Sequence, residues 1–453
     1  MFKRFSAHGA RTAREVVCLV AWFALVVYTS AFAQEPDPKQ AAKPPGLTAA
    51  QRSKNVESFE VVWKTIRDKH FDPTLGGLDW QAIHDASRPK IEAAKTMKDA
   101  RAVIREAIDR LHQTHFAIIP AELSEILDNP HEGPGEVGVE IRLIDGRAVI
   151  SAVAEGRAAY RAGVKTGWVV DRIDGKLVSE VLKTAEAAYA NTGLVSAYKT
   201  ATILSRLGGP IGSKLAVDFL DANDKTVHVV LTTEAPAGVP ATFGNIPTIY
   251  VRFTANRIDQ TVGYVSLNAF FDLVNVLKKF GEAIEANRDA DGLIIDLRGN
   301  PGGIGAMSFA MAGWLVNEPG LKLGTMITRD GSLNFAIQPR RRPFKAPVAV
   351  LVDELSMSTS EVFAGGLKDL KRARVFGTRT PGAALPSMIV VLPNGDRFQY
   401  AFANYISTGG KALEGEGIAP DEETPLTRDL LLAGRDPAVE AAVRWIRSAK
   451  KSP

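Results

Sequence analysis

The sequence predicts a multidomain α+β and α/β protein, with an N-terminal helical region, a mostly β insert and an α/β core. Three successive hydrophobic periods along the 453 residues carry that reading. Apolar residues first recur every three or four positions, then alternate in pairs, and finally fill whole short runs bounded by glycine and polar loops. A chain of this length exceeds one ordinary core, and 45% hydrophobic with 23% charged residues is a globular composition.

Val56, Phe59, Trp63 and Ile66 share one helical face, and a break follows at Pro73 and Gly76-Gly77. A second apolar stripe, Val103, Ile104, Ala107, Ile108 and Leu111, ends at His112, just before Thr114 and His115. From about Glu136 to Glu234 the period becomes that of strands. Val137, Val139, Ile141 and Leu143 alternate, Asp145-Gly146 supplies a hairpin turn into Ala148–Val153, and Leu215–Leu220 and Val227–Thr233 flank a second turn. The runs Val262–Leu267, Leu293–Leu297 and Val348–Val352 are apolar at nearly every position, which predicts strands covered on both faces. Met388–Leu392 and Arg397–Phe402 around Pro393-Asn394-Gly395-Asp396 read as a terminal β-hairpin, and Pro437–Ala449 as a closing helix.

Two segments carry chemistry. Gly292–Gly305 is a buried strand running into a loop with glycines at 299, 302, 303 and 305, where backbone amides can approach a ligand closely. A nucleotide-binding reading fails because position 308 is Ser and no Gly-Lys-Ser/Thr follows. The second segment, from Pro347, is a buried strand, a turn holding Ser356, Ser358 and Ser360, and an Ala/Gly-rich helix. A serine at such a turn stands above the sheet, with the helix amides directed at a developing oxyanion. The same three serines are also ordinary helix-capping residues.

The stretch Asp296-Leu297-Arg298-Gly299-Asn300-Pro301-Gly302-Gly303 with Ser356-Met357-Ser358-Thr359-Ser360-Glu361 resembles the C-terminal processing and tricorn-core family of serine peptidases. The resemblance implies a crotonase-like α/β core, Ser358 as nucleophile, and the amides of Gly302 or Gly303 and of Thr359 as the oxyanion hole. Gly138-Val139-Glu140-Ile141, Ala158–Gly163 and Asp171-Arg172-Ile173-Asp174-Gly175 resemble a circularly permuted PDZ domain of bacterial proteases; a generic small β module is the other reading. The implied organisation is an export signal at 1–33, a linker at 34–50, a helical region at 51–130, a PDZ-like domain at 131–235, the catalytic core at 236–436, and a helix and tail at 437–453.

A serine hydroxyl needs a base to attack an amide. Most processing relatives supply a lysine from a Thr-Phe-Gly-Lys-Gly-like segment, whereas this chain reads Thr380-Pro381-Gly382-Ala383-Ala384, with Ala383 at the lysine position. Lys368 and Lys371 start too far down the following helix to substitute. The tricorn-like branch uses histidine instead. Leu111-His112-Gln113-Thr114-His115 resembles its Leu-x-x-Ser-His segment, and Leu413-Glu414-Gly415-Glu416 resembles its Glu-containing segment. The implied relay runs from Ser358 to His115, then Thr114, then Glu414. From the residues alone, His115 also reads as a buried core histidine, Glu416 competes with Glu414, and His70, His84, His112, His131 and His228 read as surface positions. Two further readings stay open, an inactive peptide-binding scaffold of this fold and a hydrolase of small esters or amides.

Lys3, Arg4, Arg11 and Arg14 precede an apolar run from Val16 to Thr29 and then Ala31-Phe32-Ala33, which reads as a cleaved export signal and predicts a periplasmic or secreted protein. The run is shorter than the roughly 20 residues of a membrane span. Segment 1–33 holds the only cysteine, Cys18, along with four basic residues and one acidic residue, so its removal lowers the net charge from +4 to +1. Disulfides, thiolate metal sites and cysteine nucleophiles are then excluded from the mature chain, and no basic stripe marks a nucleic-acid partner. No cofactor or metal is expected, since no His/Asp/Glu cluster has ligand spacing. The expected partners are polypeptide substrates, engaged through their C-terminal tails, with membrane contact only through the signal.

Overall fold

The computed structural model describes residues 46–128, 134–189 and 194–450. The expected export signal, most of the expected linker, His131 and the last three residues lie outside them. No helix of the described residues is long and apolar enough to cross a membrane.

The N-terminal region is three helices, α1 (Ala49–Lys69), α2 (Trp80–Glu92) and α3 (Met97–Asp109), followed by β1 (Ala117–Ile119) and α4 (Ala121–Asp128). Phe59, Trp63 and Ile66 of α1 meet Ile104 and Ile108 of α3 in one apolar cluster, as their spacing requires. Helix α2 lies between the Gly76-Gly77 break and the second apolar stripe, and it keeps Pro89 inside it, near the C-terminal end.

The insert is a sheet in the order β2 (Val139–Ile144), β3 (Arg147–Val153), β4 (Val169–Ile173), β5 (Lys214–Leu220) and β6 (Thr226–Thr232). Two helices that the strand-like reading passed over, α5 (Val178–Tyr189) and α6 (Val195–Arg206), cover it. Leu182 and Ile203 from these helices join Ile141, Ile150, Val170, Val217 and Phe219 in its core. Strand β2 is an edge strand, paired on one side only by β3.

The core is a six-stranded sheet ordered β7 (Phe253–Ile258), β8 (Val262–Leu267), β9 (Gly292–Asp296), β12 (Val348–Val352), β13 (Ala373–Gly377) and β17 (Glu422–Glu423), parallel from β8 onward. Between these lie α7 (Leu273–Ala286), α8 (Gly305–Ala312), the hairpin β10 (Lys322–Thr328) and β11 (Gly331–Ala336), and α9 (Thr359–Asp369). Leu293 and Ile295 face α7, α8 and α9, whereas Ile294, Ala349 and Leu351 face the closing helix α11 (Pro437–Lys450), which follows the short α10 (Arg428–Leu432). Both faces of β9 and β12 are covered, which is why these two strands are apolar at nearly every position.

The predicted hairpin exists as β14 (Ser387–Val391) and β15 (Arg397–Ala401), but it does not extend the core sheet. Strand β15 pairs with β1, and Leu385, Leu392, Phe398 and Tyr400 pack under the N-terminal helices. Strand β16 (Ala403–Ser407) pairs with β10. The Pro/Gly-rich stretch after the insert is also ordered, with Val239–Phe243 antiparallel to Ile246–Val251.

Arg101 of α3 fastens the hairpin by donating to both carboxylate oxygens of fully buried Asp396, at 2.9 and 2.7 Å. Arg101→Ala leaves that buried carboxylate without its cation, held only by the Ala121 and Asn394 N–H donors, so it is expected to cost about 3–5 kcal/mol in a urea titration. A loss below about 1 kcal/mol, the value of an exposed pair, would show that water reaches Asp396.

Candidate active site

The serine-rich turn follows β12. Its first serine is structural, because Ser356 Oγ donates to Leu297 O at 2.7 Å and accepts the Asp353 N–H at 2.9 Å. Its third is structural too, with Ser360 Oγ on Asn300 O at 2.9 Å. Ser358, between them, is the only one of the three in the left-handed region, at φ 53°. Such a backbone costs of order 1–3 kcal/mol and persists only where its surroundings enforce it. Here the enforcement comes from both sides: the Ser358 N–H is held by Ala383 O at 2.8 Å and by Glu361 Oε2 at 3.0 Å.

The glycine loop after β9 lies directly against this turn. Asn300 is fully buried, with Nδ2 on Leu267 O at 2.6 Å, and its carbonyl accepts the Met357 N–H at 3.0 Å. A Cβ at Gly302 would stand 2.8 Å from Ser358 Cβ and from Thr359 N. Thr359 Oγ1 donates to Gly303 O at 2.7 Å, which brings the expected amide positions together. The Gly302 N–H is committed to Asn300 Oδ1 at 2.8 Å.

Thr114, His115 and Glu414 meet although 300 residues separate them in sequence. Thr114 N donates to Glu414 Oε1 at 2.8 Å and Thr114 Oγ1 to Glu414 Oε2 at 2.9 Å. That spends the one hydroxyl proton, so the 2.7 Å contact between Thr114 Oγ1 and His115 Nδ1 has the imidazole as donor. The tautomer assigned by this network carries its proton on Nδ1 and its lone pair on Nε2. His115 is fully buried, and burial depresses its pKa to about 3. Burial acts on Glu414 in the opposite direction, raising its pKa against the hydrogen bonds from Thr114 and Ala384. Glu416 is exposed, and Thr114 is bonded to Glu414 instead.

The strap 379–384 links the two halves. Ala383 O holds the Ser358 N–H, and the next residue, Ala384, donates to Glu414 Oε2 at 3.0 Å. A single peptide unit therefore separates the Ser358 backbone bond from the carboxylate behind the histidine. Ala383, at the expected lysine position, is fully buried against Leu194, Ala197 and Ala201 of the insert. Lys368 is occupied elsewhere, by Ala419 O at 2.6 Å and Asp421 at 3.1 Å.

Several residues near this site were not singled out from sequence. Glu361 reads there as an ordinary third helical residue, yet it is fully buried and bonded to the Ser358 amide. His70, expected at the surface, is fully buried, stacked on Phe71 and Phe116 with Nε2 2.8 Å from Gln113 Oε1 in the histidine loop. Arg142 of β2 reaches the core at Asp353, 2.8 Å away, and the same carboxylate caps the Gly299 N–H at 2.9 Å. The only sequence signals for these three were a Glu after the Ser-rich turn, a His ending an apolar stripe, and an Arg on an alternating strand.

A cavity of about 190 Å³ runs along β2 and the end of α6, lined by Val139, Ile141, Leu204 and Leu207 and opening on Gly299 and Leu355 of the core. A larger polar one, about 970 Å³, sits at the carboxyl ends of β8, β9, β12 and β13 and is not lined by Ser358, His115 or Glu414. Among the described residues no group of three His, Cys, Asp or Glu is arranged to hold a metal ion.

Residues 261–424 match peptidase family S41, and residues 52–109 match the Tricorn protease C1 domain. A carboxyl-terminal-processing protease of Synechocystis is 25% identical over 80% of this chain and 80% of its own length. The chloroplastic carboxyl-terminal-processing peptidase 3 of Arabidopsis thaliana is 26% identical over 90% of this chain and 76% of its own. The fold is shared with the photosystem II D1 C-terminal processing protease (TM-score 0.56, 22% identity, 88% of this chain and 97% of that one) and with mature CPAF (TM-score 0.59, 16% identity, 89% and 97%).

Proposed function

We propose, on the premise that this chain is a serine peptidase of family S41, that it cleaves polypeptides through Ser358 with His115 as base, in place of the lysine of most processing relatives. The observation that carries the reading is the ordered chain Glu414, Thr114, His115, joined to Ser358 through Ala383 and Ala384. His115 Nε2 takes the Ser358 Oγ proton as Oγ attacks the substrate carbonyl carbon, and the amides of Gly303 and Thr359 receive the oxyanion. The imidazolium then gives its proton to the leaving amine, and water, deprotonated by the same nitrogen, releases the acyl group from Ser358. With its pKa depressed to about 3, His115 rests neutral throughout the neutral range but is a weak base on its own, so its taking a proton depends on groups that favour the imidazolium. Thr114 and Glu414 orient the ring and support the imidazolium while it lasts.

The insert, read as a PDZ-like domain, gives the substrate its entry. The open edge of β2 offers main-chain hydrogen bonds to an extended tail, the amides near Gly138 hold its carboxylate, and Leu204 and Leu207 offer apolar contact for its last side chain. Such tails are what the names of the processing relatives describe. Residues 1–33 would direct the chain to the periplasm or outside the cell.

A fluorophosphonate is expected to form one adduct, on Ser358 by peptide mass, in a preparation that also digests casein and is slowed by apolar-ended tail peptides. Tail binding without adduct or digestion would turn the reading to an inactive scaffold. Turnover of simple esters but not of casein would turn it to a small-substrate hydrolase.

A further inference from the structure

We infer that Glu361 is a positioning residue of this site, whose carboxylate anion clamps Ser358 and the 380–383 segment in register with Glu414. The inference rests on the reading of Ser358 as nucleophile.

Glu361 is fully buried in the first turn of α9 and accepts four hydrogen bonds. Oε1 takes Thr380 Oγ1 at 2.6 Å and Gly382 N at 2.8 Å; Oε2 takes Ser358 N and Ala383 N, both at 3.0 Å. Three of these partners are amides, which only donate. The fourth, the Thr380 hydroxyl, already accepts the Ile418 N–H at 2.7 Å and so spends its proton on Glu361. A cradle of four donors fits the anion, and a protonated carboxyl would bring a fifth proton where every neighbour already offers one. Helix capping alone would use the Ser358 amide; it does not account for the other three donors, which all come from the strap.

The neighbouring amide on that strap, Ala384 N–H, belongs to Glu414. Two carboxylates thus grip successive peptide units, one behind the nucleophile and one behind the base, and together they set the spacing of Ser358 and His115. Protonating Glu361 releases one grip. The ionisable group that opposes its charge is Glu414, across the strap, with His115 beyond it. Arg379 on the strap is turned to Glu416 O at 2.8 Å, exposed Glu416 lies on the same loop as Glu414, and Lys368 on α9 is bound to Asp421. Burial pushes the Glu361 pKa up to about 7, against the hydrogen bonds of Thr380, Gly382 and Ser358 and with the help of Glu414. Between the ordinary 4.5 and about 7 the folded protein therefore holds a proton that the unfolded chain has released. Folding stability falls as pH rises through that interval, whereas activity, which needs the anion, rises.

The test is the pH profile of kcat/KM between pH 5 and 9 for wild type, Glu361→Gln, Thr380→Val, Thr380→Ser and Ser358→Ala. Wild type is expected to show an acid limb near pH 7, well above the imidazole's own value of about 3. Thr380→Val, which removes a donor to the anion, is expected to move the limb up by about half to one unit, and Thr380→Ser to return it. Glu361→Gln is expected to lower kcat about 10- to 100-fold with KM within about twofold, the signature of a misplaced nucleophile. A limb unmoved by Thr380→Val, or a Glu361→Gln enzyme with wild-type kcat, overturns the inference while an inactive Ser358→Ala leaves the nucleophile standing. Activity surviving Ser358→Ala overturns the nucleophile itself. Should Glu361→Gln fail to fold by circular dichroism, the limb of Thr380→Val decides.

Discussion

Alanine at Ser358 or at His115 is expected to lower kcat for peptide hydrolysis by roughly 10⁵- to 10⁶-fold, and the double substitution is expected to lower it little further. A hydroxyl without a base and a base without a hydroxyl are equally unable to form the acyl-enzyme, so the two losses are one loss. The residual rate would come from Gly303, Thr359 and substrate binding, which neither substitution touches. KM should stay within a few-fold, because neither side chain holds the bound tail. Removing buried His115 also opens space beside Thr114, so each variant must first show a wild-type urea midpoint. If the folded His115→Ala enzyme hydrolyses casein peptides at the wild-type rate, the imidazole is not the base. If the double variant is a further thousandfold slower than either single one, the two side chains act in separate steps.

The sequence was most informative where chemistry and period coincide. Val348–Val352 is apolar at every position because α9 covers one face and α11 the other, and this two-sided burial reads directly from the chain. Helices α5 and α6 were hidden among strands, since Thr184, Ser196, Thr200 and Thr202 dilute their periodicity and only packing on β2–β5 rewards it. The hairpin around Asn394-Gly395 was legible as a local object. Its attachment was not, because β15 finds its partner, β1, about 280 positions away, and no local pattern encodes that pairing.

The same division runs through the site. Thr114-His115 and Glu414 could be named from short motifs, and their contact is a hydrogen bond across 300 positions. Glu361 could not be named, because a glutamate at the third helical position after a serine has a sufficient local explanation as a cap. Only burial, and three donors arriving from residues 380–383, distinguish it from an ordinary one. His70 was misread for a related reason. A histidine ending an amphipathic helix is usually wet, and here Phe71 and Phe116 close over it.

Gly302→Ala is expected to lower kcat by about 10²- to 10³-fold or more while the protein stays folded, an effect on the scale of losing an oxyanion donor. The added methyl would lie 2.8 Å from Met357 O, Ser358 Cβ and Thr359 N, closer than carbon atoms approach one another in proteins. None of these atoms ends a flexible side chain. Met357 N is tied to Asn300 O, and Ser358 N to Ala383 O, so relief must come from moving the nucleophile or the oxyanion amides. Backbone strain contributes separately, since Gly302 has φ 95°. Gly320→Ala isolates that part: its φ is 83°, and a Cβ there meets nothing within 4 Å. The control is expected to lose about 1 kcal/mol of stability and no kcat. Equal kcat in Gly302→Ala and Gly320→Ala would mean that the glycine loop does not need to press against Ser358 for turnover. A selective loss at 302 would place the functional requirement in the close approach of the loop to the nucleophile turn, separate from any requirement for left-handed backbone.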